Sequence, residues 1–336
     1  MPMRAPDFWR EPPGLVASVL APVGIAWDLA ARLRRAVTHP YRAPVPVLCV
    51  GNLVAGGSGK TPVVLSLARW FTERGIAAHI VTRGYGGSSA GPLQVAPIRH
   101  DAAGVGDEAL LLAKRAPCWV AKDRAGGVAA AAEANAEAIL LDDGFQNPSV
   151  EKDLSLVVVD AEYGFGNSRV MPAGPLREPV AAGLARAQAI VLIGDAPMPP
   201  ELSIASCPIL RVHLAPVHGD RFRDARLIAF AGIGRPQKFF ATLRHLGAQL
   251  IAREAFPDHH PYRADEIIRL REAAARANAQ LVTTTKDWVR IPADLRDGIE
   301  VLEVEIVWHD PMMLDRILGT FLPRAGHGRD ARAVGG

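Results

Sequence analysis

The chain is poor in the features that would assign it to several large classes. It has 3 cysteines in 336 residues, Cys49, Cys118 and Cys207, with neither paired spacing nor a nearby histidine cluster. That excludes a disulfide scaffold and a thiolate metal site, and fits reduced core thiols of a cytosolic protein. It has no excess of one charge either. Against 35 Asp and Glu stand 38 Lys and Arg, a net charge of +3, which argues against a nucleic-acid binder. No internal repeat is present, and only one long apolar run occurs. What remains is the composition of an ordinary globular protein, 49% hydrophobic and 22% charged, long enough for two domains.

The one apolar run, residues 14–31 (GLVASVLAPVGIAWDLAA), has Arg4 and Arg10 before it and Arg32, Arg34 and Arg35 after it. It is barely long enough to span a bilayer, and Pro22 and Asp28 interrupt it. A secretory signal would be followed by a small-residue cleavage site and an exported domain, and the glycine-rich segment that follows here does not suit one. The run reads as a helix in or on a membrane face, with Trp9 and Trp27 at interfacial depth and the arginines on anionic headgroups. An amphipathic helix packed on its own domain is the alternative.

The most informative segment is VPVLCVGNLVAGGSGKTP, residues 45–62. Its apolar start suits a buried strand, and TPVVLSLARWFTERG carries helical spacing. A glycine-rich loop between strand and helix presents unpaired N–H groups and the helix dipole to an anion. Gly56, Gly57 and Gly59 let the backbone close around phosphate, with Ser58 between them. Lys60 reaches the β- and γ-phosphates, and the Thr61 hydroxyl takes a Mg²⁺ coordination site. The usual G-x-x-x-x-G-K-[ST] spacing wants Gly at position 54, where this chain has Val54, so the loop resembles the G-G-x-G-K-T variant of the Walker A motif.

From Val45 onward strand-like runs alternate with helical patterns: VPVLCV, AAHIVT, PCWVA, AEAILLDDG, DLSLVVVD and AQAIVLIGD. This predicts an α/β fold, a P-loop NTPase-like doubly wound, mostly parallel sheet with ligands at the carboxyl ends of its strands. Prolines 197–200 and the charged VHLAPVHGDRFRDA read as a linker. Beyond it, strand and helix patterns predict a second, smaller α/β domain. The expected organisation is a membrane-associated helix at 1–40, the phosphate-loop core at 41–222, the smaller domain at 223–323 and a disordered tail at 324–336.

Other loops offer chemistry with competing explanations. AEAILLDDG ends in Asp142 and Asp143, as a Walker B strand should, placing a carboxylate on Mg²⁺ opposite Thr61; carboxylates there can also cap a turn. Asp107 and Glu108 open a predicted helix, where acids also simply complement the dipole. In FPDHHPY, Asp258, His259 and His260 form a catalytic pair or a surface turn. Arg83 and Tyr85 of TRGYGG clamp a phosphorylated or sugar-like ligand, or form a surface turn. MPAGPLREP, with Arg177 and Glu178, reads as an ordered loop.

Together, GNLVAGGSGKTP, TRGYGG, GDEA, DDGFQN, MPAGPLREP, FAGIGRPQKFF, FPDHH and TTKDWVR, in this order behind an apolar, basic N-terminus, resemble the tetraacyldisaccharide 4'-kinase family of lipid A biosynthesis. The resemblance runs from about Asp7 to Phe321. It implies ATP and Mg²⁺ as cofactors and a tetraacylated, 1-phosphorylated glucosamine disaccharide as acceptor at its 4'-hydroxyl. The setting it implies is the cytoplasmic face of the bacterial inner membrane, with the membrane surface and the glycolipid as partners, no nucleic acid and no obligate protein partner. Carried over to matching positions, Lys60 and Thr61 serve phosphates and metal, Asp142 and Asp143 stand at the Walker B end, and Asp107 is the catalytic carboxylate working with His259. Glu108, Arg124 and Gln146 support metal, phosphate or the catalytic pair, and Arg83 and Tyr85 face the disaccharide. The family commonly has His after DGFQ, where this chain has Asn147, so position 147 carries no catalytic weight. Domain closure around ATP would assemble Asp107 and His259. A membrane-recruited regulatory NTPase is the competing function; such proteins place Lys before the double glycine, and this chain has Ala55.

Overall fold

Val47, Leu48, Cys49 and Val50 are each at most 1% exposed, so the strand entering the glycine loop is buried on both faces. Only the interior of a sheet covered by helices on both sides provides that environment. The computed structural model describes residues 6–56 and 59–321. Its first strands are β1 (Val47–Gly51), β2 (Ala78–Thr82), β3 (Leu93–Gln94), β4 (Cys118–Val120), β5 (Ala138–Asp142), β6 (Leu154–Asp160), β7 (Ala189–Ile193) and β8 (Ile209–Pro216). Then follow β9 (Arg226–Ala231), β10 (Gln249–Ala255), β11 (Gln280–Thr284), β12 (Ile299–Leu302) and β13 (Val304–Trp308).

The large sheet runs β13-β8-β7-β6-β1-β5-β2-β4-β3, and the small one β10-β9-β11-β12. Only the outermost pairs of the large sheet, β13 with β8 and β3 with β4, are antiparallel. β1 lies beside β5 and β6, and the chain winds outward from it in both directions. The carboxyl end of β1 is therefore the switch point where such sheets bind ligands. The expected doubly wound, mostly parallel fold with a smaller α/β unit is observed.

The helices are α1 (Leu15–Val37), α2 (Lys60–Glu73), α3 (Ala102–Val105), α4 (Asp107–Ala113), α5 (Arg124–Glu133) and α6 (Val180–Leu184). Beyond them come α7 (Pro236–His245), α8 (Ala264–Arg276), α9 (Thr285–Trp288) and α10 (Pro311–Phe321). Residues of α2, α4 and α10 fill one core layer over the large sheet, including Val63, Phe71, Leu112 and Leu318. Val128, Ala131, Val180 and Leu184 of α5 and α6 fill the opposite layer. The small sheet is covered by α7 on one face and α8 on the other.

Two differences from expectation have physical causes. The passage read as a linker contains residues 212–216, more than half of β8, a strand next to the sheet edge whose pattern of half-burial weakens the sequence signal. The four-stranded sheet occupies 226–302 of the span 223–323, after which β13 returns to the large sheet. The return is pinned to α2 by Trp308 Nε1 donating to Ser66 Oγ at 2.8 Å and Trp70 Nε1 donating to Asp315 at 2.6 Å. The tail expected at 324–336, like Gly57 and Ser58 of the phosphate loop, lies outside the described residues.

The apolar run is helical, and α1 touches the body through a narrow stripe. Ala17, Gly24 and Asp28 are its buried residues. A Cβ at Gly24 would come within 2.8 Å of the Val170 carbonyl oxygen, so helix and loop meet backbone to backbone. Leu15, Val19, Val23, Ile25, Trp27, Leu29 and Leu33 remain more than half exposed. By length and composition the helix could cross a membrane.

Candidate active site

The loop after β1 delivers α2 with Lys60 as its first residue. Gly59 sits before it at φ +81°, a left-handed conformation open to glycine, and a Cβ there would meet Ile193 Cδ1 at 2.5 Å. From this start Lys60 Nζ lies 3.6 Å from Asp143 Oδ1. Thr61 is buried, and its hydroxyl donates to Glu108 Oε1 at 3.3 Å. At the end of β5, Asp142 is 2% exposed and accepts the Thr82 hydroxyl at 3.0 Å.

Three carboxylates, Glu108, Asp142 and Asp143, thus gather around one threonine and one lysine. Burial, then the charges of Glu108 and Asp143, push Asp142 up to about 7. Asp143 goes the other way: burial would raise it, but Lys60 and Arg177 outweigh that and hold it below the ordinary carboxylate range. Arg177 chelates Asp143 with two bonds, at 2.7 and 3.0 Å, a fork that fixes the carboxylate plane. Behind it, Gln146 Nε2 donates to the Asn52 carbonyl at 2.9 Å and to Glu178 at 3.1 Å. Glu178 is fully buried and neutralised by Arg186 and Arg35, the latter reaching from α1.

A second cluster faces this one. Gly106, at φ +88°, ends α3 and begins α4; a Cβ there would stand 2.5 Å from the Tyr85 carbonyl oxygen. The TRGYGG loop therefore lies directly on the turn that carries Asp107. Replacing Gly106 by Ala forces a region reserved for glycine, at about 1–3 kcal/mol. If Asp107 has the catalytic role that the family resemblance implies, its displacement lowers kcat by about 10²-fold; steady-state kinetics and urea unfolding check both, and an unchanged kcat would mean that the turn relaxes without moving the carboxylate.

Asp107 is 4% exposed, and its Oδ2 lies 3.1 Å from His259 Nδ1 and 2.8 Å from Arg290 Nε, with Arg290 Nη2 as a further donor. Burial would raise its pKa, but the His259 hydrogen bond and the Arg290 charge prevail and hold it well below the usual range. The Asp107 hydrogen bond in turn raises His259 above its ordinary value. Tyr85 stands beside the imidazole, ring centres 5.5 Å apart. Arg290 also donates to the Gly232 carbonyl at 2.7 Å and to Asp287 at 3.2 Å. Next to it, Lys286 Nζ donates to Glu108 Oε1 at 2.6 Å. Burial works against the charge of Glu108, and the Lys286 ammonium overcomes it, lowering the carboxyl.

The sequence-based candidates fall into three groups. Lys60, Thr61, Glu108, Asp142 and Asp143 form the phosphate-loop cluster, and Asp107, His259 and Tyr85 the second. Arg83 is exposed on the same loop as Tyr85, whereas Arg124 is buried at the start of α5, donating to the Ala121 carbonyl and feeling the charges of Asp142 and Asp143. Asn147 caps a turn, its Oδ1 accepting from Ser149 N and Oγ at 2.8 and 2.7 Å. Sequence reasoning gave no site role to Lys286 or Arg290, which stand one helical turn apart in TTKDWVR and meet the adjacent acids of GDE.

The donor set suits Mg²⁺. A hydroxyl and carboxylates are hard oxygen ligands; burial first, and then the neighbouring charges of Glu108 and Asp143, raise Asp142, and a divalent cation would relieve that excess of negative charge. Among the described residues no group of three or more His, Cys, Asp or Glu forms a dedicated metal cage. Magnesium at phosphate sites needs none, since one or two carboxylates and the phosphates suffice.

Residues 16–322 match the family described as Tetraacyldisaccharide-1-P 4'-kinase. The chain is 54% identical over 327 residues to the tetraacyldisaccharide 4'-kinase of Rhodospirillum centenum, covering 95% of this chain and 97% of that one. It is 52% identical over 335 residues to that of Dinoroseobacter shibae, covering 96% and 99%. A crystal structure of LpxK from Aquifex aeolicus in complex with ATP superposes with a TM-score of 0.75 at 26% identity, covering 92% of this chain and all of that one. The chain belongs to the tetraacyldisaccharide-1-P 4'-kinase family.

Proposed function

We propose that this chain transfers the γ-phosphoryl group of ATP to the 4'-hydroxyl of a tetraacylated glucosamine disaccharide 1-phosphate, giving lipid IVA, a step of lipid A biosynthesis. The observation that carries the reading is the meeting of the two clusters. A phosphate loop with its Walker B carboxylates lies beside an Asp–His pair, the aspartate buried at the start of α4 and the histidine partly exposed on the loop after β10 of the smaller unit.

The loop through Gly56, Gly59 and Lys60 binds the triphosphate, and Arg177 holds Asp143 in place behind it. Thr61, with Asp142 or Asp143, would hold Mg²⁺, which when bound supplies charge neutralisation and alignment of the phosphates. Lys60 offsets charge on the γ-phosphoryl oxygens as the bond to the leaving oxygen lengthens. The hydroxyl of the sugar approaches from the side of Asp107, with Arg83 and Tyr85 towards the disaccharide. Asp107 is a weak base on its own; as the 4'-oxygen bonds to the γ-phosphorus and ADP leaves, the hydroxyl proton passes to the carboxylate and is shared with His259 Nδ1, whose proton affinity that same carboxylate raises. Arg290 and Tyr85 hold the pair in register.

In this reading the unit at 41–222 provides ATP chemistry and the unit at 223–323 closes over it. The exposed apolar face of α1, with arginines at its end, supports attachment to the cytoplasmic face of the inner membrane, where an acylated acceptor resides. The test is incubation of the full-length protein with γ-labelled ATP and extracted lipid A precursor. Label is expected in the lipid, dependent on Mg²⁺; release of free phosphate alone would replace the kinase by a regulatory NTPase.

A further inference from the structure

Asp107 and Glu108 are neighbours in sequence, and each meets a cation four residues from the other, Arg290 and Lys286 respectively. The two cations are not equivalent. Arg290 has 4% of its side chain exposed and is committed to Asp107, Asp287 and the Gly232 carbonyl. Lys286 has 31% of its side chain exposed, and among the described residues its ammonium has one hydrogen-bond partner, Glu108 Oε1. An ammonium carries three donors, so Lys286 has capacity to spare. The same Glu108 oxygen accepts the Thr61 hydroxyl. Lys286 therefore stands one carboxylate oxygen away from the P-loop threonine, brought there by the sheet that does not carry the loop.

We propose that Lys286 is a second phosphate-binding cation, supplied within the chain by the smaller unit, which contacts the γ-phosphoryl group during its transfer. The proposal rests on the phosphoryl-transfer reading above. In such reactions charge is spread over three equatorial oxygens, and a cation delivered from outside the phosphate loop is a recurrent source of rate. Lysine suits delivery across a cleft: a point charge on a four-carbon stem can leave one anionic partner for another without a fixed fork geometry. Glu108 holds the ammonium at the threshold; the γ-phosphoryl oxygens, arriving beside Thr61, offer a more highly charged partner. Closure of the smaller unit then brings His259 and Lys286 together, one to the acceptor and one to the donor.

The experiment uses the full-length protein and its Lys286→Met and Lys286→Arg variants. Calorimetry measures affinity for Mg–ADP and for Mg–ADP with aluminium fluoride, a planar mimic of the transferring group. In Lys286→Met the fluoride-dependent tightening is expected to fall by about 10²-fold or more and kcat by about 10³-fold, with ADP affinity little changed. Lys286→Arg keeps the charge and recovers part of both. Full tightening in Lys286→Met overturns the assignment. So does an equal loss for ADP and for the mimic accompanied by a lower melting temperature, the pattern of a residue that merely neutralises Glu108. Wild type in the same series separates the two readings: if it neither transfers label nor tightens, the kinase reading falls and this role with it. If wild type does both and Lys286→Met matches it, only the role of Lys286 falls.

Discussion

Replacing Asp107 by Asn lowers kcat by roughly 10²–10⁴-fold, the range that a positioned proton acceptor supplies, and leaves ATP affinity within a few-fold. The substitution is nearly isosteric, so the α4 start and its contact with the TRGYGG loop persist. What disappears is the charge between His259 and Arg290. Because the Asp107 hydrogen bond is the first cause of the raised His259 pKa, the imidazole titration falls towards or below its ordinary value in the variant. The sign in wild type follows from both partners. Asp107 is depressed, so its contribution is present above the ordinary aspartate value and is lost only in strong acid. His259 is raised, so its contribution is complete below its ordinary value of 6.5 and fades as pH rises through the higher folded value. The contact between the units is thus strongest in mild acid and weakens on the alkaline side, and Asp107→Asn abolishes that dependence. Histidine NMR titration and steady-state kinetics with a fluorescent ATP analogue measure these effects. A variant turning over within tenfold of wild type would remove Asp107 from proton transfer.

Legibility followed the range of the interaction. GGSGKT and DDG were readable because their chemistry is local: a glycine at a helix start, a lysine and a threonine in one turn, two acids at a strand end. The runs of β1, β2, β4, β5, β6 and β7 were readable because central parallel strands are continuous apolar runs, whereas β3, two residues at the sheet edge, left no such run. The acids of GDE carried no such mark. At a helix start they look like partners of the dipole, and only the family resemblance singled out Asp107. Lys286 and Arg290 were opaque because what makes them functional is contact with Glu108 and Asp107, nearly two hundred residues away. Glu178 could not be foreseen as a fully buried carboxylate, since its burial depends on Arg186 from the turn after α6 and Arg35 from α1. β13, at the sheet edge, and β8, next to it, escaped because their half-buried pattern is not a continuous apolar run, and Leu214 and Val307 remain more than a third exposed.

Asp142→Asn separates stability from turnover at the other half of the site. In the metal-free protein Asp142 is buried, and Glu108 and Asp143 crowd it. Removing its charge leaves the carbonyl oxygen able to accept the Thr82 hydroxyl, while repulsion among the three acids is relieved. Unfolding in EDTA is therefore expected to need more denaturant than for wild type, by about 0.5–2 kcal/mol, as where a site holds charge that folding alone would not choose. Turnover goes the opposite way. With a neutral amide at the end of β5, the cluster loses one of the carboxylates proposed to hold the cation with Thr61, and kcat is expected to fall by about 10²–10³-fold or more, the scale of losing one electrostatic partner in a reaction governed by charge neutralisation. A third quantity ties the two together: Mg–ATP raises the unfolding midpoint of wild type by mass action and raises that of the variant much less. Denaturant unfolding with and without Mg–ATP, beside kinetics over a range of Mg²⁺, measures all three. A variant less stable than wild type in EDTA, yet keeping metal-dependent turnover, would show that Asp142 serves the fold and that the metal is held elsewhere. The opposite pair of results means that the excess of negative charge at the end of β5 is kept for the cation and works against the fold until the cation arrives.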